Sequence, residues 1–436
     1  MFSFYGAKPN NCPYCGNNPV PHFINWYFES VNVLLTPLRG ILLYNPISRW
    51  LKRMALTLNL PFGLVMIGKK LRFISFQEDV TKCKVRRAQV LWEEAQKRGI
   101  EMNELLLFGR PFDMYIAESY PSVLSSGSKD KLKAKSCKLV FSGLPRPKSY
   151  DNRSLDWMDD KLYLKKTFAK AGLPVPKGGS CWRLRQALKI FSQVQKPVIV
   201  KPRTGSRGRH NTTFVSSIQD LVTAFQIAKR LCFWVVVEEH ILGPVYRATL
   251  INFELCGVLR GDPPQVVGDG RHTVEELIAI KNSQPHPDVK DIVIDETLKR
   301  FLSRQAPVFP SPGEGRDQGR GRTDGNNGAL FLDYIPKTEE GISLSEKIGV
   351  NYGGSSSEDF DICHPDNKEL FVRAAKIIGD PIVGFDFIIP DITKSYKGQK
   401  CGFIEANSLP FINLHHDPLY GKPRNVATKV WEMIGF

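Results

Sequence analysis

Three oxygen-bearing side chains interrupt two segments that otherwise have the composition of buried strands. Asp386 lies within IVGFDFIIPD, and Glu405 and Asn407 lie within GFIEANSLP. Glu405 and Asn407 are two positions apart, so their side chains leave the same face of an extended chain. A buried carboxylate requires a cation or strong hydrogen bonds close by, and a single one is usually structural. Three such donors favour Mg²⁺, which takes oxygen ligands while it holds phosphates.

A basic segment after a short predicted strand is typical of a phosphate site. Lys201 ends PVIVK before Pro202 stops the strand, which places a cation at the mouth of a sheet. The next residues, TGSRGRHN, supply Gly205 and Gly208 for close approach of the backbone. The segment lacks the GK[ST] ending of a P-loop, so an ordinary basic turn stays open. Lys161, at the start of a predicted helix, is a weaker candidate that a solvated position would also explain.

Two further segments have features of ligand contacts together with ordinary structural explanations. Glu238 and Glu239 follow the strand WVVV, where a carboxylate can meet a ribose hydroxyl, although such a pair usually marks a solvated turn. The loop VNYGGSSSED contains Gly353 and Gly354. Their N–H groups can hold an anion, or the glycines can simply make the loop flexible.

The segment CPYCG has the cysteine spacing of half a zinc knuckle. Cys12 and Cys15 supply two thiols, whereas a structural zinc needs four ligands and no second CxxC is present. His22, Cys83 or Cys137 would have to complete the site. We therefore treat zinc as a minor alternative.

Composition indicates a globular protein with a basic N-terminal third. The 436 residues, 42% hydrophobic and 24% charged, suffice for two or three domains. Residues 1–150 hold 22 Lys+Arg against 10 Asp+Glu, a surplus of 12 within a net charge of +16. The nine scattered cysteines predict reduced thiols, and the N-terminus has no export signal, so we expect a cytoplasmic protein.

Residues 30–77 contain seven basic and no acidic residues, interleaved with aromatic and aliphatic ones. This composition suits peripheral contact with an anionic membrane surface. An apolar helical element that packs on the next domain is favoured instead, because Pro37, Pro46 and Pro61 would interrupt any long helix. We expect no nucleic-acid partner, since no binding motif accompanies the charge. A homo-oligomer is compatible with the sequence.

The pattern changes twice along the chain and predicts an α/β protein of three parts. Residues 1–69 form a basic, apolar extension. Residues 70–150 combine the strands RFISF and KLVFSGLP with the amphipathic helix VRRAQVLWEEAQKRGI, which predicts a small α/β domain. Residues 151–436 alternate helices with buried strands, and a Gly/Arg-rich stretch at 304–330 predicts a surface loop. In VVGDGRHTVEELI we expect a hairpin turn at Asp-Gly, followed by a capping box of Thr273 and Glu276.

The order of these motifs resembles the ATP-grasp fold. It is similar, more narrowly, to the ATP-grasp portion of cyanophycin synthetase and of the fused bacterial glutathione synthetases. The likeness runs from about Asp151 to the C-terminus, and it depends on VVGDGRHTVEEL and EANSLPFINLHHDPLYGKPRNVA occurring in order. Residues 1–69 show none.

The resemblance implies roles for individual residues. Lys161 and Lys201 would hold the ATP phosphates, and residues 204–210, including Ser206, would form a flexible lid within a central subdomain at about 175–245. Residues 238–241, with Ile241 at their end, would be the hinge that receives adenine and ribose. Further implied roles are Mg²⁺ or Mn²⁺ ligands at Asp386, Glu405 and Asn407, a reacting-carboxylate contact at Arg260, oxyanion donors at Gly353 and Gly354, and substrate contacts at His415 and Arg424.

The implied activity is an ATP-dependent carboxylate–amine ligase that acts on an amino acid or short peptide through an acyl phosphate. Many relatives carry an acid where this chain has Val245, which puts ribose or metal contacts in doubt. Cyanophycin synthetase continues into a Mur-ligase-like half and this sequence ends at Phe436, so we expect a single ligase step. A non-catalytic ATP-binding scaffold and a carboxylate–thiol ligase remain alternatives.

Overall fold

The structure is a computed structural model that describes residues 12, 14–15, 20–42, 65, 67–119, 137–151, 153–204, 208–284, 289–305 and 331–436. Gly205 and Ser206 of the predicted lid, and positions 306–330 of the predicted surface loop, lie outside these ranges. Within the described residues, no helix has the length and apolar character needed to cross a membrane.

The elements are numbered in chain order. The helices are α1 (His22–Leu42), α2 (Arg86–Lys97), α3 (Lys161–Lys170), α4 (Leu184–Gln193), α5 (Ile218–Lys229), α6 (Val274–Asn282), α7 (Glu296–Gln305), α8 (Pro365–Ile378), α9 (Asn413–His416) and α10 (Val426–Ile434). The strands are β1 (Ile74–Gln77), β2 (Glu101–Leu107), β3 (Arg110–Ser119), β4 (Cys137–Phe141), β5 (Gly178–Cys181), β6 (Val198–Pro202), β7 (Thr212–Val215), β8 (Val235–Glu239), β9 (Val245–Ile251), β10 (Glu254–Asp262), β11 (Gln265–Val267), β12 (Gly341–Ser343), β13 (Ser355–Glu358), β14 (Ile382–Ile388), β15 (Gly402–Asn407) and β16 (Tyr420–Gly421).

A six-stranded sheet forms the centre of the C-terminal half. Its strands lie in the order β15, β14, β9, β10, β13, β16. Phe385 and Phe387 of β14 and Phe403 of β15 are buried in one cluster with Phe168 of α3. Because side chains alternate along a strand, the carboxylate of Asp386 leaves on the opposite face from its two aromatic neighbours. This alternation explains how an acid is accommodated in such an apolar strand.

A second, four-stranded antiparallel sheet spans residues 178–239, within the range predicted for the central subdomain. Its order is β5, β8, β6, β7. Helices α4 and α5 bury their apolar faces against it, with Phe191 and Leu221 in a cluster with Val200 and Val237. The sheet holds Lys201 on β6 and Glu238 on the adjacent strand β8.

The first sheet, ordered β1, β2, β3, β4, belongs to the predicted small α/β domain. Its helix α2 shares a buried core with the C-terminal helix α10, and the indole Nε1 of Trp431 donates to the carbonyl of Leu91 at 2.9 Å. The predicted small domain and the last helix are therefore packed together around one apolar core.

Helix α1 lies against the segment that joins α5 to strand β8 of the second sheet. Asn25 donates to the carbonyl of Leu231 at 3.3 Å, and the Ser30 hydroxyl accepts from the N–H of Phe233 at 3.0 Å. The prediction that Pro37 interrupts a long helix is wrong, because α1 is 21 residues long and continues past it to Leu42. A proline removes one donor from a helix without necessarily ending it. Pro46 and Pro61 lie outside the described residues.

The predicted capping box is present and the predicted hairpin turn is not. The Thr273 hydroxyl accepts from the N–H of Glu276 at 3.2 Å, and the Glu276 carboxylate accepts from the N–H of Thr273 at 2.8 Å. Gly268 to Gly270, however, connect strand β11 to helix α6, and β11 pairs with the distant β12. The Asp269 carboxylate accepts from the N–H groups of Arg271 and His272, each at 2.9 Å. This is the pattern of a turn from a strand into a helix.

Candidate active site

The central sheet brings the three predicted metal ligands onto one face. Asp386 on β14 stands directly opposite Glu405 on β15, and Asn407 follows two positions later opposite Gly384. Opposed residues of an antiparallel pair point to the same side, so the three side chains form a short row. The exposed fractions of the Asp386 and Glu405 side chains are 15% and 26%, so a ligand can reach both.

Two cations accompany this row. Arg247 of β9 pairs with Asp386 through both carboxylate oxygens, with its Nη2 3.0 Å from Oδ2. Lys161 Nζ is 3.7 Å from an oxygen of Glu405. Burial, reinforced by the neighbouring Glu405 carboxylate, raises the pKa of Asp386 against the opposing effect of Arg247. Two adjacent carboxylates that lie this close together are a suitable place for a further cation.

The donor chemistry of the row fits a magnesium ion. It offers two carboxylates and one amide, which are hard oxygen ligands. The amide nitrogen of Asn407 is buried without a hydrogen-bond partner among the described residues, so no protein acceptor fixes the orientation of this amide. The residues present are thus compatible with Mg²⁺ or Mn²⁺, with Asp386 shared between the ion and Arg247.

A buried Lys–Glu–Lys triad lies beside the row. Glu238 contacts Lys165 of α3 and lies 2.6 Å from Lys201 Nζ. The two ammonium groups lower the pKa of Glu238 to about 2 against the effect of its burial. Desolvation lowers the pKa of Lys165 to about 7, and the Lys201 and Lys161 charges add to that effect. When both lysines are protonated, the single carboxylate between them leaves surplus positive charge, which an incoming anion would balance.

The triad corrects the predicted role of the Glu238 side chain. Its carboxylate lies between two lysines and is not available to a ribose hydroxyl, and both edges of its strand are paired. The carboxylate of Glu239 is also engaged, because it accepts from the N–H of Lys177 at 3.0 Å and lies 3.3 Å from Lys400. Ile241, at the end of the predicted hinge, is buried.

Helix α3 fixes the position of Lys161. Asp160 caps the helix by accepting from the N–H groups of Leu162 and Tyr163 at 2.9 and 3.2 Å. The same carboxylate pairs with Arg203, just after Lys201, at 2.9 Å. Lys161 and Glu405 line a cavity together with Thr204, Gly208, Arg209 and Asn25 of helix α1. The N-terminal extension therefore contributes to the wall of the candidate site.

The predicted oxyanion donors are not free in this structure. The N–H of Gly353 donates to the carbonyl of Val350 at 3.1 Å, and that of Gly354 donates to the carbonyl of Gly349 at 3.2 Å. A Cβ at position 354 would overlap the backbone carbonyl of Asp262, which explains glycine there without any ligand. Arg260 lies nearby on β10, where its Nε donates to Asp262 at 2.8 Å.

His415 is a structural residue and not a substrate contact. Its side chain is fully buried, Nδ1 lies 2.6 Å from Glu358, and Nε2 lies 2.8 Å from the Thr249 hydroxyl. Both ring nitrogens are occupied, so none is left for a ligand. Arg424 donates to the carbonyl of Cys256 at 2.8 Å and lies over the Phe360 ring. Its predicted substrate contact stays a prediction.

Two residues of the site, Lys165 and Arg247, were not identified from the sequence, and neither was the contact that His210 makes outside it. Lys165 lies one helical turn after Lys161, so the i,i+4 rule could have found it. Arg247 alternates with Tyr246 in a predicted strand, which gave no sign that it would face Asp386. His210, which appeared to be one of several basic loop residues, has its Nε2 3.4 Å from the sulfurs of both Cys12 and Cys15. Nothing local predicts a contact across 198 positions.

Known proteins are similar to this chain in sequence and in fold. Over 284 residues the chain is 31% identical to a cyanophycin synthetase of Crocosphaera subtropica, covering 63% of this chain and 30% of that protein. Over 355 residues it is 28% identical to the glutathione biosynthesis bifunctional protein GshAB of Clostridium perfringens, covering 79% and 40%. No protein-family model matches the chain.

The crystal structure of a bifunctional glutathione synthetase from Pasteurella multocida superposes with a TM-score of 0.50 and 26% identity, covering 80% of this chain and 43% of that one. The fold is the ATP-grasp fold, and the predicted resemblance is confirmed. The chain spans less than half the length of each of these relatives.

Proposed function

We propose that this protein is an ATP-dependent ligase that joins the carboxylate of an amino acid or short peptide to an amine. The observation that carries the proposal is the row of Asp386, Glu405 and Asn407 with Lys161 close by. The buried triad of Lys165, Glu238 and Lys201 supports it, because its surplus positive charge suits phosphate. The likeness to synthetases over more than 280 residues supports the same reaction class.

The reaction has two balanced steps. A carboxylate oxygen of the first substrate attacks the γ-phosphorus of ATP, the bond to the bridging oxygen breaks, and ADP leaves with its electrons. The amine nitrogen of the second substrate then attacks the acyl carbon, inorganic phosphate leaves, and the nitrogen loses a proton. Water must be excluded meanwhile, because it would hydrolyse the acyl phosphate.

Three lysines would stabilise most of the negative charge on the phosphates. The phosphate oxygens would be neutralised by Lys161, Lys165 and Lys201. Glu238 would hold Lys165 and Lys201 in position. Magnesium, when bound by Asp386, Glu405 and Asn407, would supply Lewis-acid stabilisation of phosphate charge. Arg247 would hold the Asp386 carboxylate in position. The substrates are proposed to contact Arg260 and Arg424. The nucleotide is proposed to contact the segment from the end of β8 to Ile241.

One observation favours a second candidate, a non-catalytic nucleotide-binding protein. Both oxygens of Asp386 are engaged by Arg247, which competes with a metal ion for this ligand. A protein of this kind would bind ATP and release no ADP with any acid. A carboxylate–thiol ligase would share the first step and differ only in its acceptor.

The test is a screen for ADP release by the full chain with ATP and Mg²⁺, over pairs of amino acids, dipeptides and thiols. Mass spectrometry of the products identifies the acceptor. We expect ADP and a condensation product with at least one acid–amine pair. Nucleotide binding without turnover over the whole panel would contradict the ligase and favour the non-catalytic protein.

A further inference from the structure

We propose that Cys12, Cys15, His22 and His210 bind a structural zinc ion that joins the N-terminal extension to the segment following the glycine loop. The ligand atoms of these four side chains, here called the thiol–imidazole cluster, all lie within 4.8 Å of one another. Cys12 comes from the CPYCG turn, His22 from the first residue of α1, and His210 from the loop before β7.

The distances match the edges of a tetrahedral site. His210 Nε2 is 3.4 Å from the sulfurs of Cys12 and Cys15, and His22 Nε2 is 3.4 Å from the sulfur of Cys15. A tetrahedral zinc with ordinary Zn–S and Zn–N bonds separates sulfur from nitrogen by about 3.6 Å. Hydrogen bonds between thiols and imidazoles would need only pairs of atoms to meet, whereas here all four ligand atoms lie within 4.8 Å of one another.

The surroundings of His210 prepare it as a ligand. Its Nδ1 lies 2.7 Å from the carbonyl of Ile227, which can only accept, so Nδ1 carries the proton. The lone pair of Nε2 therefore points toward the two sulfurs. A metal-binding histidine usually has this second hydrogen bond to a carbonyl or carboxylate, which fixes its tautomer and orientation.

One backbone hydrogen bond joins the two chain segments at this place, and another closes the CPYCG turn. The N–H of His210 donates to the carbonyl of Tyr14 at 3.0 Å, and the N–H of Cys15 donates to the carbonyl of Cys12 at 3.1 Å. The ring of His22 lies perpendicular to that of His210, with centroids 4.8 Å apart. Because the chain between Cys12 and His210 is long, their association is a tertiary arrangement that a metal ion would stabilise strongly.

The donor set selects the ion. Two thiols and two imidazoles suit zinc, whereas magnesium and calcium prefer oxygen. Four protein ligands fill the coordination sphere, so the site is structural and leaves no position for a substrate. Binding displaces two thiol protons, because thiolates are the ligands. None of the four residues belongs to the proposed nucleotide site.

The zinc would anchor one wall of the candidate site. Arg209 and Gly208 line the cavity that also contains Lys161 and Glu405, and they immediately precede His210. Thr204, on the other side of the glycine loop, donates to the carbonyl of Glu29 in α1 at 3.3 Å. This consequence for nucleotide binding rests on the proposed function, whereas the metal site itself does not.

The experiment is metal analysis of the full chain purified from zinc-supplemented medium without chelators. We expect about one zinc per chain, and loss of more than half of it in Cys12→Ser and in His210→Gln. Cys83→Ser is the matched control, because Cys83 is also buried but lies in the core of the first sheet. The Cys83→Ser variant should keep about one zinc per chain. Should a cluster variant fail to fold, cobalt replaces zinc in the parent protein and gives the visible absorption of a tetrahedral S₂N₂ site.

Two results would overturn the proposal. One is a parent protein that contains no zinc as purified and shows no tetrahedral cobalt spectrum after exchange. The other is a full equivalent of zinc that survives both Cys12→Ser and His210→Gln. Zinc content does not depend on ATP turnover, so a protein that holds zinc but never releases ADP would contradict the ligase alone.

Discussion

Lys201 Nζ lies 2.6 Å from the carboxylate of Glu238, and Lys165 contacts the same carboxylate from the other side. The arrangement connects two sheet strands to helix α3, and when both lysines are protonated it leaves one positive charge without a partner inside the triad. Buried charges are stable only when they are compensated. The triad should therefore affect the unfolding free energy of the ligand-free protein and the proton uptake that accompanies nucleotide binding.

Replacing Glu238 with Gln should destabilise the fold and change its response to acid. Leaving the buried lysines without their carboxylate is expected to cost about 3–5 kcal/mol of unfolding free energy at pH 7. The folded-state pKa of Glu238 is lowered to about 2 from the ordinary 4.5. Its stabilisation is thus complete above the ordinary pKa and is lost as the pH falls from there toward 2.

Denaturant unfolding of parent and variant between pH 7 and pH 3 checks this. The difference between the two proteins should shrink as the pH falls below about 4.5, because the Glu238 carboxyl of the unfolded parent then takes up a proton while that of the folded parent stays ionised. Glu296→Gln, on the surface of α7, is the control and should follow the parent throughout. A difference that stays constant down to pH 3 would show that Glu238 is not ionised in the triad.

Nucleotide binding should take up a proton through Lys165. The pKa of this buried lysine is lowered to about 7, so it is largely neutral in the free protein at pH 8. Phosphate charge nearby raises its pKa, and the site then binds a proton. Calorimetric titration with ATP in buffers of different ionisation enthalpy should show uptake at pH 8 and much less at pH 6.

The matched pair of variants for this prediction is Lys165→Met and Lys166→Met. Lys166 is the next residue of the same helix and is exposed. Proton uptake should disappear in the first variant and remain in the second. Equal uptake in both would assign the titrating group elsewhere.

Substitution of His415 should affect stability and not substrate affinity. The fully buried ring joins Glu358 to Thr249, and Glu358 in turn accepts from the N–H of Val258 at 2.7 Å. Loss of these hydrogen bonds together with a cavity is expected to cost about 2–4 kcal/mol in His415→Ala. The KM for each substrate of the folded fraction should stay unchanged. A raised KM at unaltered stability would restore the role first predicted for this histidine.

The sequence predicted the site best where a strand carries its own signal. Alternation in IVGFDFIIPD and GFIEANSLP was enough to place Asp386, Glu405 and Asn407 on one side of their strands, and the register of β14 with β15 then brings them together. Helix α3 and strands β6 and β8 also occur where periodicity predicted them. Local pattern is informative here because the core determines which face each residue takes.

Contacts between distant segments were not predictable in the same way. Glu238 looked like an exposed turn residue, because nothing in its neighbourhood indicates that Lys165 meets it. Gly353 and Gly354 looked like anion donors, although their N–H groups close their own turn. The partner of Cys12 is 198 positions away, so the spacing rule that found the CPYCG turn could not find His210. Such pairings are set by tertiary structure.

Substitutions in the row of Asp386, Glu405 and Asn407 are expected to have the largest effect on the reaction rate. Asp386→Asn and Glu405→Gln each remove one charge from the place where phosphate charge is to be stabilised. Loss of one such group typically reduces the rate by about 10² to 10³. Glu296→Gln serves again as the surface control. ADP release by either site variant at the rate of the parent would show that the row does not serve phosphoryl transfer.

The central claim is that this protein activates a carboxylate as an acyl phosphate, and trapping that species tests it most directly. The full chain is incubated with ATP, Mg²⁺, hydroxylamine and each acid that supports ADP release, with no amine substrate. Hydroxylamine converts an acyl phosphate to a stable hydroxamate, which mass spectrometry detects. We predict one hydroxamate for each ADP in the parent protein and none in Asp386→Asn. ADP release that yields no hydroxamate with any acid would contradict the account.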